Sequence, residues 1–308
     1  MTQNNIDFKD NKLKVYLHIL ETCNYNCKHC FAHFNSNKIL FIDDWKKIID
    51  NCLKSTNIQE FNIAGGEPLL HKDLIDIAKY INYKNIKCSL ITNGFSMTNE
   101  WIKQNAKYFS TIGFSIDSFE KETLIKIGRN NTNGEILSKE RFKEICDLIK
   151  ENNPKCNIKI NTVVTLLNKN ECLSKIIKEL NIQISRWKIF KMDIFKNDFF
   201  DNSNLQVTNQ QYYSFIKRNM NEIDVIYEDN IINNNISNIF YDKNGMEIII
   251  EKDVNASYIM IDANGYLVDD SKNDNYTNII NCLIDDFSYG LNILPLNKEL
   301  YFSRYEKE

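Results

Sequence analysis

The sequence predicts an α/β protein: a partial (βα)6 TIM-like barrel with one open side and a C-terminal extension covering that side. Short apolar runs alternate with amphipathic stretches over residues 13–195, the pattern of repeated βα units. Six repeats are too few to close an eight-unit barrel. After Phe195 the alternation stops, and the rest reads as one helix followed by short strands. The chain thus divides into an N-terminal tail (1–12), a barrel (13–195) and an extension or lid (196–308).

Val15 to Leu20 reads as the first strand. Phe41 to Leu53 has helical spacing, with Phe41, Trp45, Ile48, Ile49 and Leu53 on one face and Asp43 and Asp44 in the first turn. A strand at Phe61 to Ala64, a helix at Leu69 to Ile81 and a strand at Lys87 to Thr92 follow. Thr98 to Tyr108 is helical in tendency and leads into a strand at Thr111 to Ile116. Ile136 to Lys150 is a long helix, Ile158 to Val164 a strand, Glu171 to Leu180 a helix and Arg186 to Phe190 the sixth strand. Right-handed crossovers put the loops after the strands on one face, where barrel enzymes build their sites. In the extension, Asn209 to Met220 is helical and Asp229 to Asn238 loop-like. Glu247 to Ile250, Ser257 to Ile261 and Tyr266 to Val268 read as strands, with a tight turn at Ala263-Asn264-Gly265.

With 308 residues, 43% hydrophobic and 26% charged, the chain can bury a sizeable core. A net charge of −3 gives no overall pull toward nucleic acid or anionic membranes, so a bound polyphosphate must meet a local basic cluster. The polar stretch Met1 to Asn11 has neither an apolar signal core nor an amphipathic helix. A cytoplasmic protein without a membrane partner is the expectation.

Cys23, Cys27 and Cys30 fall within eight residues, so one short loop brings three sulfurs to one side. Nine cysteines, an odd count, argue against a disulfide framework. Iron-sulfur clusters normally take four thiolates, and three leave one iron open to a ligand that is not protein. Structural zinc is the competing reading, with His18, His29 or His33 as a fourth ligand, although no second knuckle follows. Cys52, Cys88, Cys146, Cys156 and Cys172 are scattered and read as ordinary thiols, and Cys282 alone follows Cys172, too few cysteines for auxiliary clusters.

The stretch Cys23-Asn-Tyr-Asn-Cys27-Lys-His-Cys30 resembles the radical S-adenosylmethionine (SAM) enzymes, with His29 where an aromatic ring is common. That resemblance implies a partial barrel of the radical SAM type, a [4Fe-4S] cluster on the three cysteines and SAM on the open iron. Ala64-Gly65-Gly66-Glu67-Pro68 resembles the segment that holds the SAM amino group; paired glycines let the backbone approach a ligand, and the carboxylate can meet an ammonium. By the same resemblance Asn93 and Ser115 are SAM contacts.

Further stretches resemble the viperin family: Gly113-Phe-Ser-Ile-Asp-Ser-Phe119, Ile127-Gly-Arg129, Lys159-Ile-Asn161-Thr-Val163, Arg186-Trp-Lys188, and Ser257-Tyr258 with Asp262. The resemblance implies a nucleotide dehydratase that takes a ribonucleoside triphosphate (CTP, UTP or GTP) to its 3′-deoxy-3′,4′-didehydro analogue. A 5′-deoxyadenosyl radical removes the C4′ hydrogen, water leaves, and an external donor supplies an electron. It also implies an antiviral role, by termination of viral RNA synthesis. Lys159, Arg186 and Lys188 then hold the polyphosphate, Asn161 a ribose hydroxyl, and Arg129 sits where SAM and nucleotide meet. Tyr258 matches a lid tyrosine, a catalytic hydrogen donor or a positioning group. A monomer without direct nucleic-acid contact is expected.

Glu60 stands where animal members carry a lysine near the phosphates, and Tyr16 where asparagine is usual. An acidic side chain beside a triphosphate repels it unless bridged by a cation, so either Glu60 points away or the phosphate grip differs here. Two alternatives stay open: a radical SAM enzyme of another substrate, such as a peptide maturase, and a non-catalytic metal-stabilised binding protein.

Overall fold

The computed structural model describes residues 8, 11–30, 39–196, 201–225, 238–251, 255–271 and 276–303. Six strands run parallel and in chain order: β1 (Leu13–His18), β2 (Ile58–Ala64), β3 (Lys87–Thr92), β4 (Thr111–Ser115), β5 (Asn157–Val164) and β6 (Arg186–Lys191). Between them lie α1 (Ile42–Ser55), α2 (Leu74–Tyr83), α3 (Asn99–Asn105), α4 (Lys121–Ile127) with α5 (Lys139–Asn152), and α6 (Leu173–Leu180). The predicted six-unit pattern is the observed one, and the sheet stays open.

The extension supplies α7 (Asn209–Glu222), β7 (Asn238–Tyr241), β8 (Glu247–Glu251), β9 (Met260–Ile261), β10 (Tyr266–Asp269), β11 (Thr277–Asn281), α8 (Phe287–Ile293) and α9 (Lys298–Ser303). It does more than cover the open side. β8 adds to β6 and β9 to β1, both in parallel, while β7 and β10–β11 continue the two edges antiparallel. The predicted strand over Ser257 to Ile261 shortens to Met260–Ile261, and the loop expected at Asp229 to Asn238 lies, apart from Asn238, outside the described residues. The Ala263–Gly265 turn forms as expected: the Asp262 carboxylate accepts from the Asn264 and Tyr266 N–H groups at 3.0 and 2.7 Å.

Caps explain where helices start. Thr98 and Ser138 each accept an N–H three residues on, from Trp101 and Arg141, at 3.1 Å. Thr208 and Gln211 form a reciprocal capping box on α7. The helix predicted from Leu69 to Ile81 is broken because the His71 ring is taken up by Leu40 O (3.0 Å) and by the Asp73 N–H (3.1 Å), and Asp73 in turn accepts from the Ile42 N–H at the start of α1 (3.1 Å). A short 3-10 turn, Pro68–Leu70, fills the gap.

Alternation along the strands separates two environments. Val15, Leu17, Phe61, Ile63, Leu90, Ile112, Phe114, Ile158, Ile160, Trp187 and Ile189 are fully buried against the helices. Each such side chain contributes about 1.5–3 kcal/mol. The intervening residues, including Lys14, Tyr16, Glu60, Asn62, Ser89, Lys159, Asn161, Arg186 and Lys188, form the inner face, which is polar and charged.

The C-terminal segment completes the edge of β1. β9 pairs only with Tyr16 and Leu17, and the fully buried Tyr301 takes over at Lys14: its hydroxyl accepts from the Lys14 N–H at 2.7 Å and donates to the Lys14 carbonyl at 3.0 Å. Asn51 of α1 donates to Cys282 O (2.8 Å) and Asp285 O (2.6 Å), tying the extension to the helical layer. No helix among the described residues is long and apolar enough to cross a membrane.

Candidate active site

A cavity opens at the C-terminal ends of the barrel strands, bounded on one side by the cysteine loop and on the other by the extension. Cys23, Cys27 and Cys30 line it, as do Gly65, Gly66, Asn93, Ser115, Arg129, Lys159, Asn161 and Tyr258. Of the expected site residues, Glu67, Arg186 and Lys188 do not.

The cysteine loop is fastened from both sides by backbone bonds. The Gly66 N–H donates to Leu20 O at 2.5 Å and the Glu67 N–H to Thr22 O at 3.0 Å; beyond the loop, the Asn26 N–H reaches Gly128 O (3.2 Å) and the Lys28 N–H reaches Ile127 O (2.8 Å). Glycine is required at both clamps. A Cβ on Gly66 would stand 2.2 Å from Glu21 O, and one on Gly128 2.1 Å from Asn26 O, where φ is also +84°. The double glycine therefore serves approach of chain to chain as well as any approach to a ligand. Helix α4, whose spacing was not singled out in the sequence, exists to present Ile127 and Gly128 to this loop.

Burial raises the thiol pKa values, Cys27 to about 12 against the opposing charge of Arg129, and Cys23 in the same direction. A cationic iron centre would displace those protons and relieve the cost. Among the described residues no three His, Cys, Asp or Glu side chains are drawn around a single point. The three sulfurs line one cavity, and three thiolates from one loop are a donor set that suits an iron-sulfur cluster with one iron left open.

A buried ion network holds the loop to the barrel. Asp117, fully buried just past β4, accepts from Arg129 Nε and Nη2 at 2.5 Å and lies 3.1 Å from His29 Nε2. Its other oxygen accepts from the Val163 N–H at 2.8 Å. Burial alone would raise the Asp117 carboxyl, but Arg129 and His29 outweigh it and hold the group below the usual carboxylate range. Arg129, expected as a ligand contact, is thus also the charge partner of a residue that sequence reasoning missed, although Asp117 stood in the strand-end stretch Ser-Ile-Asp.

Glu67 is 0% exposed, and its carboxylate accepts from Thr92 Oγ1 (2.6 Å), the Asn93 N–H (2.8 Å) and the Leu69 N–H (3.1 Å). It ties the ends of β2 and β3 together behind the cavity wall. Asn93, placed by that contact, turns its amide to Asn24 Oδ1 at 2.7 Å in the cysteine loop.

The cations of the inner face are mostly neutralised within the protein. Lys14 pairs with Glu60 at 3.1 Å, and Ser89 also donates to that carboxylate. The acidic departure at Glu60 is thus bridged by a cation and lies outside the cavity lining. Arg186 pairs with Glu247, and Lys188 with Glu251 at 2.6 Å. Lys159 differs: 6% exposed, it lines the cavity, and among the described residues its ammonium has no ion-pair partner. Burial, then the charges of Lys188 and Arg186, push its pKa well below the ordinary lysine value. Asn161 brings to the same cavity a buried side-chain oxygen that has no hydrogen-bond partner among the described residues. Glu247 and Glu251 were legible in principle, since acids four apart in Glu-Ile-Ile-Ile-Glu share one face of a strand. Asp193 after β6, and Asp270 and Tyr276 of the β10–β11 hairpin, also line the cavity and carried no sequence signal.

Comparison with known proteins adds independent findings. Residues 17–180 match the model of the radical SAM superfamily. Over 95% of this chain and 98% of the relative, the sequence is 36% identical to a protein of Selenomonas ruminantium named S-adenosylmethionine-dependent nucleotide dehydratase. A protein of the same name from Psychrobacter lutiphocae is 30% identical over 96% of this chain and 95% of its own. Among solved structures, SuiB of Streptococcus suis superposes with TM-score 0.65 at 14% identity, covering 94% of this chain and 67% of SuiB. The structure of anSMEcpe with bound AdoMet and a peptide gives 0.65 at 20% identity, covering 94% of this chain and 82% of anSMEcpe. These two likenesses concern the fold.

Proposed function

Because the chain belongs to the radical SAM superfamily and, within it, to the S-adenosylmethionine-dependent nucleotide dehydratases, we propose that it converts a ribonucleoside triphosphate (CTP, UTP or GTP) to the 3′-deoxy-3′,4′-didehydro nucleotide. The observation that carries this reading is the meeting, in one cavity, of a three-thiol loop and the buried ammonium of Lys159, which has no ion-pair partner among the described residues.

Cys23, Cys27 and Cys30 would hold a [4Fe-4S] cluster, and Gly65, Gly66, Asn93, Ser115 and Arg129 would surround SAM beside it. When bound, the pair supplies the one-electron chemistry that removes a hydrogen atom from the sugar. The rest falls to the chain. Lys159 meets the polyphosphate, with Lys188 and Arg186 adding charge from the adjacent strand through their shared wall. Glu67 stiffens the SAM side from behind rather than touching it. Asn161 offers its unmet oxygen to a ribose hydroxyl, and Tyr258 closes the sugar side. Held at both ends, the sugar is oriented while loss of water proceeds, a large part of the catalytic task. The enzyme acts as a monomer with an external electron donor, without direct contact to nucleic acid, and its product serves antiviral defence by terminating viral RNA synthesis.

The test is anaerobic: reconstitute the cluster, add SAM and dithionite, and offer each of the four ribonucleoside triphosphates separately. Nucleotide-dependent 5′-deoxyadenosine with a nucleotide lighter by one water supports the reading and names the base. Cleavage of SAM with all four nucleotides returned unchanged overturns it.

A further inference from the structure

The cavity wall between β6 and β9 contains a carboxylate to which the proposed function gives no role. Glu251, last residue of β8, is 1% exposed and lies in register with the cavity-lining Phe190 of β6. Its two oxygens have different partners. Oε1 accepts from the Lys188 ammonium at 2.6 Å, and Oε2 accepts from the Tyr258 hydroxyl at 2.7 Å. The Tyr258 ring is further fixed edge-on by Tyr16, with centroids 5.0 Å apart, and the Lys188 ammonium stands 5.8 Å from its centre. The buried Tyr212 hydroxyl, bonded to Ile189 O (2.8 Å) and Glu251 O (3.3 Å), holds the backbone beneath.

Resting on the proposed function, we propose that Glu251 is a positioning residue for both ends of the nucleotide: it orients the Tyr258 phenol toward the sugar and restrains the charge that Lys188 offers to the phosphates. The geometry assigns the phenol a definite role. Its proton is directed at Glu251, so the oxygen turns a lone pair to the cavity and accepts from a sugar hydroxyl instead of donating hydrogen. Tyr16, which departs from the asparagine usual in animal relatives, becomes the ring that keeps Tyr258 in this pose. Lys188, meanwhile, lies behind the cavity lining, and a phosphate at Lys159 feels its charge only as far as the Glu251 carboxylate leaves it unneutralised.

Glu251→Gln separates the two effects, because the amide can still accept from Tyr258 while the negative charge is gone. Inorganic tripolyphosphate binding, measured by calorimetry on the cluster-loaded protein, is expected to tighten about tenfold, the scale of one charged hydrogen-bond partner set free. The KM of the accepted nucleotide falls with it, and the yield of dehydrated nucleotide per 5′-deoxyadenosine stays unchanged. Glu251→Met releases the phenol, and that yield drops severalfold, as it does in Tyr258→Phe; the double variant is no worse than either single one. Unchanged or weaker tripolyphosphate binding by Glu251→Gln overturns the proposal, as does full yield in Tyr258→Phe. If Glu251→Met does not fold, Glu251→Gln and Tyr258→Phe carry the test. Tripolyphosphate binding needs no turnover, so failure of the wild-type protein to dehydrate any nucleotide would sink the proposed function and leave this inference separately decided.

Discussion

Asp117→Asn is the sharpest perturbation of the site's frame. The amide keeps the shape and can still accept from the Val163 N–H, but it removes the charge facing Arg129 and His29. Arg129 has a side chain only 11% exposed, so its guanidinium is left buried and uncompensated. Breaking one side of a buried pair costs about 3–5 kcal/mol. At about 2–4 °C per kcal/mol for a chain of this size, melting should fall by roughly 10 °C. The same change unpins His29 between Cys27 and Cys30, so iron and sulfide bound after reconstitution should fall as well. The pH dependence has a fixed sign. Because the folded-state pKa of Asp117 is depressed, its contribution is present above the unfolded value near 4 and is lost as pH falls below it. The gap between wild type and variant, followed by circular dichroism, should therefore be full at neutral pH and shrink in acid. Asp117→Asn/Arg129→Gln should cost less than the two single changes summed. A single variant that melts within about 1 kcal/mol of wild type and binds full iron would refute the reasoning.

Gly66→Ala meets backbone oxygen at 2.2 Å and should give protein that binds little iron, whereas Gly134→Ala meets nothing within 4 Å and should lose only about 1–2 kcal/mol to its positive φ of +74°; iron content and denaturant melts distinguish the two. Lys159→Met removes a buried charge whose pKa is depressed, a group that costs stability at every pH below the unfolded lysine value, so the variant should melt higher than wild type while losing tripolyphosphate binding in calorimetry. In the wild type that binding should fade as pH rises through the lowered Lys159 pKa. Tyr301→Phe abandons two backbone groups of Lys14 and should cost about 1–3 kcal/mol in urea unfolding without changing iron content, since Tyr301 acts at the opposite end of β1 from the cysteine loop.

How far the sequence carries follows from the range of the interactions. The six strands and most helices are local patterns, set by alternation and by caps such as Thr98 and Ser138, and they stand within a few residues of where periodicity puts them. The cysteine loop is equally local. The split of the predicted Leu69–Ile81 helix is not, because it depends on His71 reaching Leu40 O, 31 residues away. Short strands β7, β9 and β11 exist through pairing with edges that the sequence does not mark. The site divides in the same way. Motif spacing gathers Lys159, Asn161 and Tyr258 into one cavity with the cysteines, but whether a cation is available depends on carboxylates remote in sequence: Glu60 for Lys14, Glu247 for Arg186 and Glu251 for Lys188.

That pairing scheme also bears on why the inner face is charged at all. Ion pairs that are buried, Lys188–Glu251 and Lys14–Glu60, or partly buried, Arg186–Glu247, are expensive to assemble in place of apolar residues, and they are weak as a source of stability. Removal of any one partner, however, leaves a charge inside the barrel, so the pairs fix each strand of the wall in one register. Against that fixed background Lys159, of the described inner-face cations Lys14, Lys159, Arg186 and Lys188, lacks a partner of opposite charge, and it lines the cavity beside the charges of Lys188 and Arg186. An arriving polyanion therefore gains most at one point, and at the next a carboxylate already neutralises the cation behind the lining. Under the proposed function, the wall thereby sets both how tightly and in which orientation a polyphosphate lies beneath the cysteine loop.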